Sequence, residues 1–231
     1  MILKKIFKFF RYKYQYFFLG NISKQILYEK KDGLVQKIYK GKYAYQNYLK
    51  HQKFKFFFYK KDLLKAFDAQ VEEFLNNFQT ISAKYQHKKY VLCLAARTGA
   101  EVLAFRKLGF FCIGIDLNFP KDSPYVFYGD FHNLDFPDDT FDVVYCNSLD
   151  HSFNINKLVE EAKRVLKKDG LICFHLQKGI EENKKNNLGN YEALGWNHTN
   201  YIIQKILDND LIIESKKDLN EDYVEVLLKK K

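Results

Sequence analysis

Proline is almost missing from this chain. There are three in 231 residues, and all of them (Pro120, Pro124, Pro137) fall in one interval. Only that interval reads as punctuated loop; the rest can carry long elements. The four cysteines (Cys93, Cys112, Cys146, Cys173) include no Cys-x-x-Cys pair and match no zinc spacing. Each sits in an apolar, strand-like run, so they read as buried reduced thiols, and Cys146 and Cys173 lack an activating neighbour in sequence. That usage points to a cytoplasmic protein. No apolar run reaches membrane-spanning length without charges. The apolar N-terminus is interrupted by Lys4, Lys5, Lys8, Arg11 and Lys13 and has no small-residue cleavage site, so no secretory leader is expected. Gly-x-Gly-x-x-Gly is absent, which argues against a nicotinamide enzyme. Acids are scarce at one end: residues 1–61 hold 16 Lys and Arg against only Glu29 and Asp32. The remaining residues hold 22 Lys and Arg against 26 acids. The net charge of +10 therefore belongs to the N-terminal quarter.

What is present is 47% apolar, enough for one full core. The organising stretch is residues 90–118. Tyr90 to Leu94 reads as a buried strand, Ala95 to Gly99 as a small-residue turn, and Ala100 to Leu108 as a helix stopped by Gly109. A second strand, Phe111 to Ile115, ends on Asp116. A strand–turn–helix–strand unit of this kind makes a nucleotide-type site. The turn and helix start present backbone N–H groups, and the carboxylate can accept both hydroxyls of a ribose.

Along the rest of the chain, residues 61–84 carry apolar side chains at helical spacing (Leu63, Leu64, Phe67, Val71, Phe74, Leu75, Phe78). Tyr125–Tyr128 and Phe141–Cys146 read as strands, Ile155–Leu166 as a helix closed by Lys167, Lys168 and Gly170, and Leu171–Leu176 as a strand. Gln177–Asn190 reads as a polar loop, Tyr201–Leu207 as a helix, and Leu211–Ser215 and Tyr223–Leu228 as two last strands. Alternation of this kind predicts a Rossmann-like, doubly wound, mostly parallel seven-stranded sheet over residues 61–231. Its closing strand is expected to be antiparallel, because the last connection is short. Residues 1–60 are expected to form a basic extension or cap. Within it, Ile2, Leu3, Ile6, Phe9, Phe10 and Phe17 share one helical face and Lys4, Lys8 and Arg11 the other. That helix either packs on its own domain or lies on an anionic membrane surface. The Lys/Tyr-rich stretch 22–60 has strand signals at Gln25–Tyr28 and Leu34–Ile38. Its interleaved aromatics and cations either form a solvated cap or contact RNA.

Five short stretches, in order, give the chain a resemblance to class I S-adenosylmethionine-dependent methyltransferases of the type 11 sort. The turn Cys93–Gly99 stands where that family has its acidic, glycine-rich loop, and Asp116 stands at the ribose-binding position. Gly129-Asp130-Phe131 stands at the adenine contact. Phe141-Asp142-Val143-Val144 resembles the fourth-strand motif, and Arg164 to Gly170 resembles the segment before the fifth strand. Cys93 replaces the usual acid, Ala95 the first glycine and Arg97 the second. Alanine is tolerable there if its φ is negative.

The resemblance implies S-adenosyl-L-methionine as cofactor, held by Ala95, Arg97, Thr98, Gly99, Asp116, Leu117, Asp130, Phe131 and Asn147. It implies a small-molecule or lipid- or glycan-linked acceptor, with no metal. Arg97 either pairs with the methionine carboxylate or points to solvent. Asp150 and His151 follow the fourth strand at the carboxyl edge of the sheet. His151 is the candidate general base and Asp150 its orienting partner, or else they cap and pack. Trp196 either lines the acceptor pocket or anchors packing; His132 is a weaker base candidate and His175 reads as core. The residues after the fourth strand, Asn147-Ser148-Leu149, lack the Pro-Pro-aromatic run of nucleobase amino-methylation. Two competing readings remain at this level: an RNA methyltransferase gripping its substrate with the basic N-terminus, and a non-catalytic Rossmann-like module.

Overall fold

The computed structural model describes residues 26–183 and 191–231. The expected N-terminal amphipathic helix and the second half of the expected polar loop Gln177–Asn190 lie outside them.

The chain begins with an antiparallel hairpin, β1 (Ile26–Lys31) and β2 (Leu34–Tyr39), turned at Asp32-Gly33, where both residues have positive φ. Two helices follow end to end: α1 (Ala44–Lys65) and α2 (Phe67–Lys84). The single helix expected over 61–84 is thus a later helix joined at Ala66 to an earlier one. Neither Gly nor Pro occurs between Gly41 and Gly99 to stop α1. The expected boundary at residue 60 falls inside α1.

Next come β3 (Tyr90–Leu94), α3 (Ala100–Lys107), β4 (Phe111–Asp116), β5 (Val126–Tyr128) and β6 (Phe141–Cys146). They lead to α4 (Ile155–Val165) and β7 (Leu166–Gln177). No break separates these two, in contrast to the expected closure of the helix by Lys167, Lys168 and Gly170 before a strand starting at Leu171. β7 starts directly at Leu166, opposite Phe141. A register shift then absorbs the extra residues before Val143 meets Leu171. The remaining elements are β8 (Leu194–Trp196), α5 (Thr199–Leu207), β9 (Leu211–Asp218) and β10 (Tyr223–Lys230). β8 carries no pattern of its own length in the sequence. It joins β2 to complete a small three-stranded sheet.

The main sheet has seven strands in the order β5-β4-β3-β6-β7-β10-β9. The first five are parallel to their neighbours and only β10 runs against the rest. Alternate side chains feed two separate apolar layers. Leu92, Leu94, Val144, Ile172, Phe174 and Val226 pack under α4 and α5. Val91, Cys93, Val143, Tyr145, Cys173 and Leu227 pack under α2 and α3. Sheets covered on both faces read as continuous apolar runs, and these strands do. All four cysteines are fully buried and unpaired.

Conserving this geometry at the amino edge are two polar clamps. The Asp142 carboxylate accepts from the N–H groups of Lys89 (3.0 Å) and Tyr90 (2.9 Å), tying β6 to the start of β3. Arg164 donates to Glu161 and Asp138 and to the carbonyls of Leu134 and Phe136. The carboxyl edge is left free to carry loops from β3, β4, β5 and β6.

Candidate active site

At that carboxyl edge the turn between β3 and α3 is sharply wound. Ala95 has φ +56° and Arg97 φ +41°, and Gly99 caps α3 at φ +83°. Ala95 therefore does not meet the condition, a negative φ, under which alanine is tolerable there. The two non-glycine residues stand in the left-handed conformation that glycine adopts without strain. The turn uses this winding to aim an N–H inward: Arg97 N donates to Asp116 Oδ2 at 3.0 Å. Asn118 N donates to Asp116 Oδ1 at 2.7 Å. Asp116 is buried at the tip of β4. Burial pushes its carboxyl up, while the Arg97 charge and the two backbone N–H groups oppose that. Each oxygen retains further capacity to accept.

Six of the expected residues share one cavity: Ala95, Arg97, Asp116, Leu117, Phe131 and His151. Thr98, Gly99, Asp130, Asn147 and Asp150 do not line it. Asn147 instead accepts from the Ser148 hydroxyl. The cavity measures about 40 Å³, room for little more than a water molecule. Its far wall is α1, through Tyr48, Gln52, Lys55 and Phe56.

Those α1 residues were not expected at the site. Tyr45, Tyr48, Gln52 and Lys55 recur at three and four and so share one helical face. The Tyr45 hydroxyl donates to Asp130 Oδ2. Tyr48 donates to the His151 carbonyl at 2.8 Å, Gln52 to the Tyr191 carbonyl at 2.9 Å, and Lys55 Nζ lies 2.6 Å from His151 Nε2. Their three-four spacing was the available signal, masked because aromatic and lysine residues occur on every face of this segment.

The electrostatics follow from these contacts. His151 Nδ1 is 3.0 Å from the Tyr191 carbonyl, an acceptor, so Nδ1 carries the proton and Nε2 is the lone-pair nitrogen. Burial, with Lys55 and Arg97 nearby, pulls the imidazole well below its usual range and keeps it neutral. Burial and the Arg97 charge bring Lys55 down to about 8. Asp150 Oδ2 lies 3.8 Å from His151 Nε2, beyond hydrogen-bond reach, and its carboxyl is pushed up by burial. The backbone of Tyr191, not Asp150, therefore holds the ring. At Asp130 burial pushes up, but hydrogen bonds from His132 and Tyr45 outweigh it and leave the carboxyl low. His132 bridges Asp130 Oδ1 (3.0 Å) and the Asn154 N–H (3.2 Å), so it stays occupied.

Asp150, His151 and Glu192 bring ligand atoms within 4.8 Å of one another. The Lys55 amine on His151 Nε2 opposes a cation there. Trp196 is a packing anchor: it is buried in the α4/α5 layer and donates to the Gln177 carbonyl at 2.9 Å. His175 is buried too, held by Tyr145 and Glu225.

Residues 92–174, from the middle of β3 to β7, match the family model described as "Methyltransferase domain". Over these residues the chain is similar to a methyltransferase domain. A Bacillus subtilis (strain 168) protein described as "Uncharacterized methyltransferase YcgJ" is 31% identical over 116 residues. That match covers 44% of this chain and 45% of the relative, so the chain spans less than half the length of the curated relative it matches. Among solved structures, the PH0226 protein of Pyrococcus horikoshii OT3 superposes with a TM-score of 0.57 at 18% identity, over 68% of this chain and 89% of that one. An S-adenosylmethionine-dependent methyltransferase from Clostridium acetobutylicum ATCC 824 gives 0.54 at 13% identity, over 69% and 92%. At these identities the likeness is one of fold alone. No helix among the described residues is long and apolar enough to cross a membrane.

Proposed function

We propose that this chain is an S-adenosylmethionine-dependent methyltransferase acting on a small-molecule or lipid- or glycan-linked acceptor. The observation that carries the reading is the Asp116 carboxylate. It is buried at the tip of the second parallel strand, tied to the β3–α3 turn and open to the same cavity as that turn. Its remaining lone pairs suit a pair of ribose hydroxyls. Asp130 and Phe131 would meet the adenine, and the turn at 95–99, with Leu117 and Asn147, the rest of the cofactor. The donor set suits this group, whereas the space with α1 in place is too small for it, since small-ligand pockets run to about 300 Å³ or more.

When bound, the cofactor supplies a methyl group already activated on a sulfonium. The chain's own part is to align the acceptor, exclude water and, for an acceptor that carries a proton, take that proton. His151 Nε2 is the atom for this last role. It is neutral, its tautomer is set by the Tyr191 carbonyl, and it is uncovered when Lys55 withdraws. Asp150 is better placed to attract a cationic amine than to orient the imidazole. We place the activity in the cytoplasm on the four unpaired thiols.

Calorimetry with S-adenosylmethionine tests the reading. Binding in the micromolar to millimolar range is expected, about −8 to −4 kcal/mol. Asp116→Ala is expected to abolish that heat while the protein still unfolds cooperatively; equal affinity in the variant refutes the assignment. The small cavity favours a second reading, a Rossmann-like module that takes no nucleoside. Absence of heat with both S-adenosylmethionine and S-adenosylhomocysteine, in wild type and in a variant with a loosened α1, would establish it.

A further inference from the structure

The donor set at the carboxyl edge suits an adenosyl cofactor and the 40 Å³ beside it does not. We infer that α1 is a lid caught shut, with Tyr45 and Lys55 standing on the groups that otherwise hold ligand and acceptor. The inference rests on the methyltransferase reading and adds to it how the pocket opens. The Tyr45 hydroxyl occupies the Asp130 carboxylate, the group assigned to the adenine amino donor. Lys55 occupies His151 Nε2, the atom assigned to the acceptor's proton. Both surrogates are donors, as the groups they replace are.

The helix is built to leave. Among the described residues, four side-chain hydrogen bonds attach its site face, each of which a ligand or water can replace, and a fifth joins His51 to the Tyr39 hydroxyl of β2. Among the described residues the apolar cluster beneath it has three buried members, Tyr39, Tyr48 and Ala193, with Ala44, Tyr45, Leu49, Leu117 and Phe153 only partly buried around them. Phe57 stands 76% exposed on the opposite side. Both ends are natural hinges. Gly41 precedes the helix at φ +84° with no neighbouring atom within 4 Å of where a Cβ would sit. Ala66 follows it at φ −86° and ψ −1°, breaking α1 from α2. Elements held this way lie at the low-stability end of a fold.

The test uses S-adenosylhomocysteine as probe. Spin labels go on Lys53→Cys, exposed on α1, and Lys121→Cys, exposed after β4; the native thiols are all fully buried. Calorimetry runs in parallel on wild type, Tyr45→Phe and, as a control on the outer face, Phe57→Ala. A shift of several ångströms in the label distance on adding the probe is expected. So is an affinity about five- to tenfold tighter in Tyr45→Phe and unchanged in Phe57→Ala. Binding by Tyr45→Phe alone also supports the lid. Binding with an unchanged distance and no gain in Tyr45→Phe overturns the lid and leaves the methyltransferase reading standing. No binding by any variant removes both.

Discussion

In the middle of β7, Ile172, Cys173 and Phe174 are fully buried and divide between two apolar layers. Along α1, the residues that face the molecule reach it mostly through a hydroxyl, an amide or an amine. Burying apolar surface stabilises without regard to partner, so the sheet has nothing to exchange its contacts for. A hydrogen bond exchanges readily, because water or a ligand offers the same bond. The contrast assigns rigidity to the sheet that carries Asp116 and His151 and adjustability to the helix that covers them.

Substitutions can break that contrast. The largest effect is expected for Phe174→Ala, a loss of about 3–5 kcal/mol in urea unfolding, against less than about 0.5 kcal/mol for the exposed Phe57→Ala. Comparable losses would deny the difference.

Next is Glu101, buried at the start of α3, whose carboxyl burial raises from 4.5 to about 8. The folded value lies above the unfolded one, so the proton is held more tightly in the fold. Stability is whole below pH 4.5 and falls as pH climbs toward 8. Glu101→Gln removes that loss. It should exceed wild type by something on the order of 3 kcal/mol near pH 7, and by little at pH 4. Parallel pH profiles would refute it.

Asp142→Ala at the amino edge is expected to cost about 1–2 kcal/mol by removing the two hydrogen bonds it accepts from the exposed Lys89 and Tyr90 N–H groups. Cofactor affinity should be untouched, and a loss of binding would mean the two edges are coupled. Smallest, Ala95→Gly should stabilise by about 1 kcal/mol, because glycine meets φ +56° without strain; thermal unfolding reads it.

The strand–turn–helix–strand from Tyr90 to Asp116 was legible because its signals are local: a buried apolar run, small residues, helical spacing, a glycine stop. The antiparallel closure was legible from a connection too short for a crossover. The joint between α4 and β7 was misread because Lys167, Lys168 and Gly170 look like the close of a helix, while pairing of Leu166 with Phe141 starts the strand there. The positive φ of Ala95 was not legible, since no residue type there demands it. It belongs to the turn that also carries Arg97 N to the Asp116 carboxylate.

Sequence alone determined the doubly wound sheet and the place of the carboxylate at its edge, because period and polarity act between residues a few positions apart. Only the tertiary structure decided what faces that carboxylate. Lys55 meets His151 across 96 residues and Tyr45 meets Asp130 across 85. Pairings at such separations depend on how two elements dock, and no local pattern encodes docking.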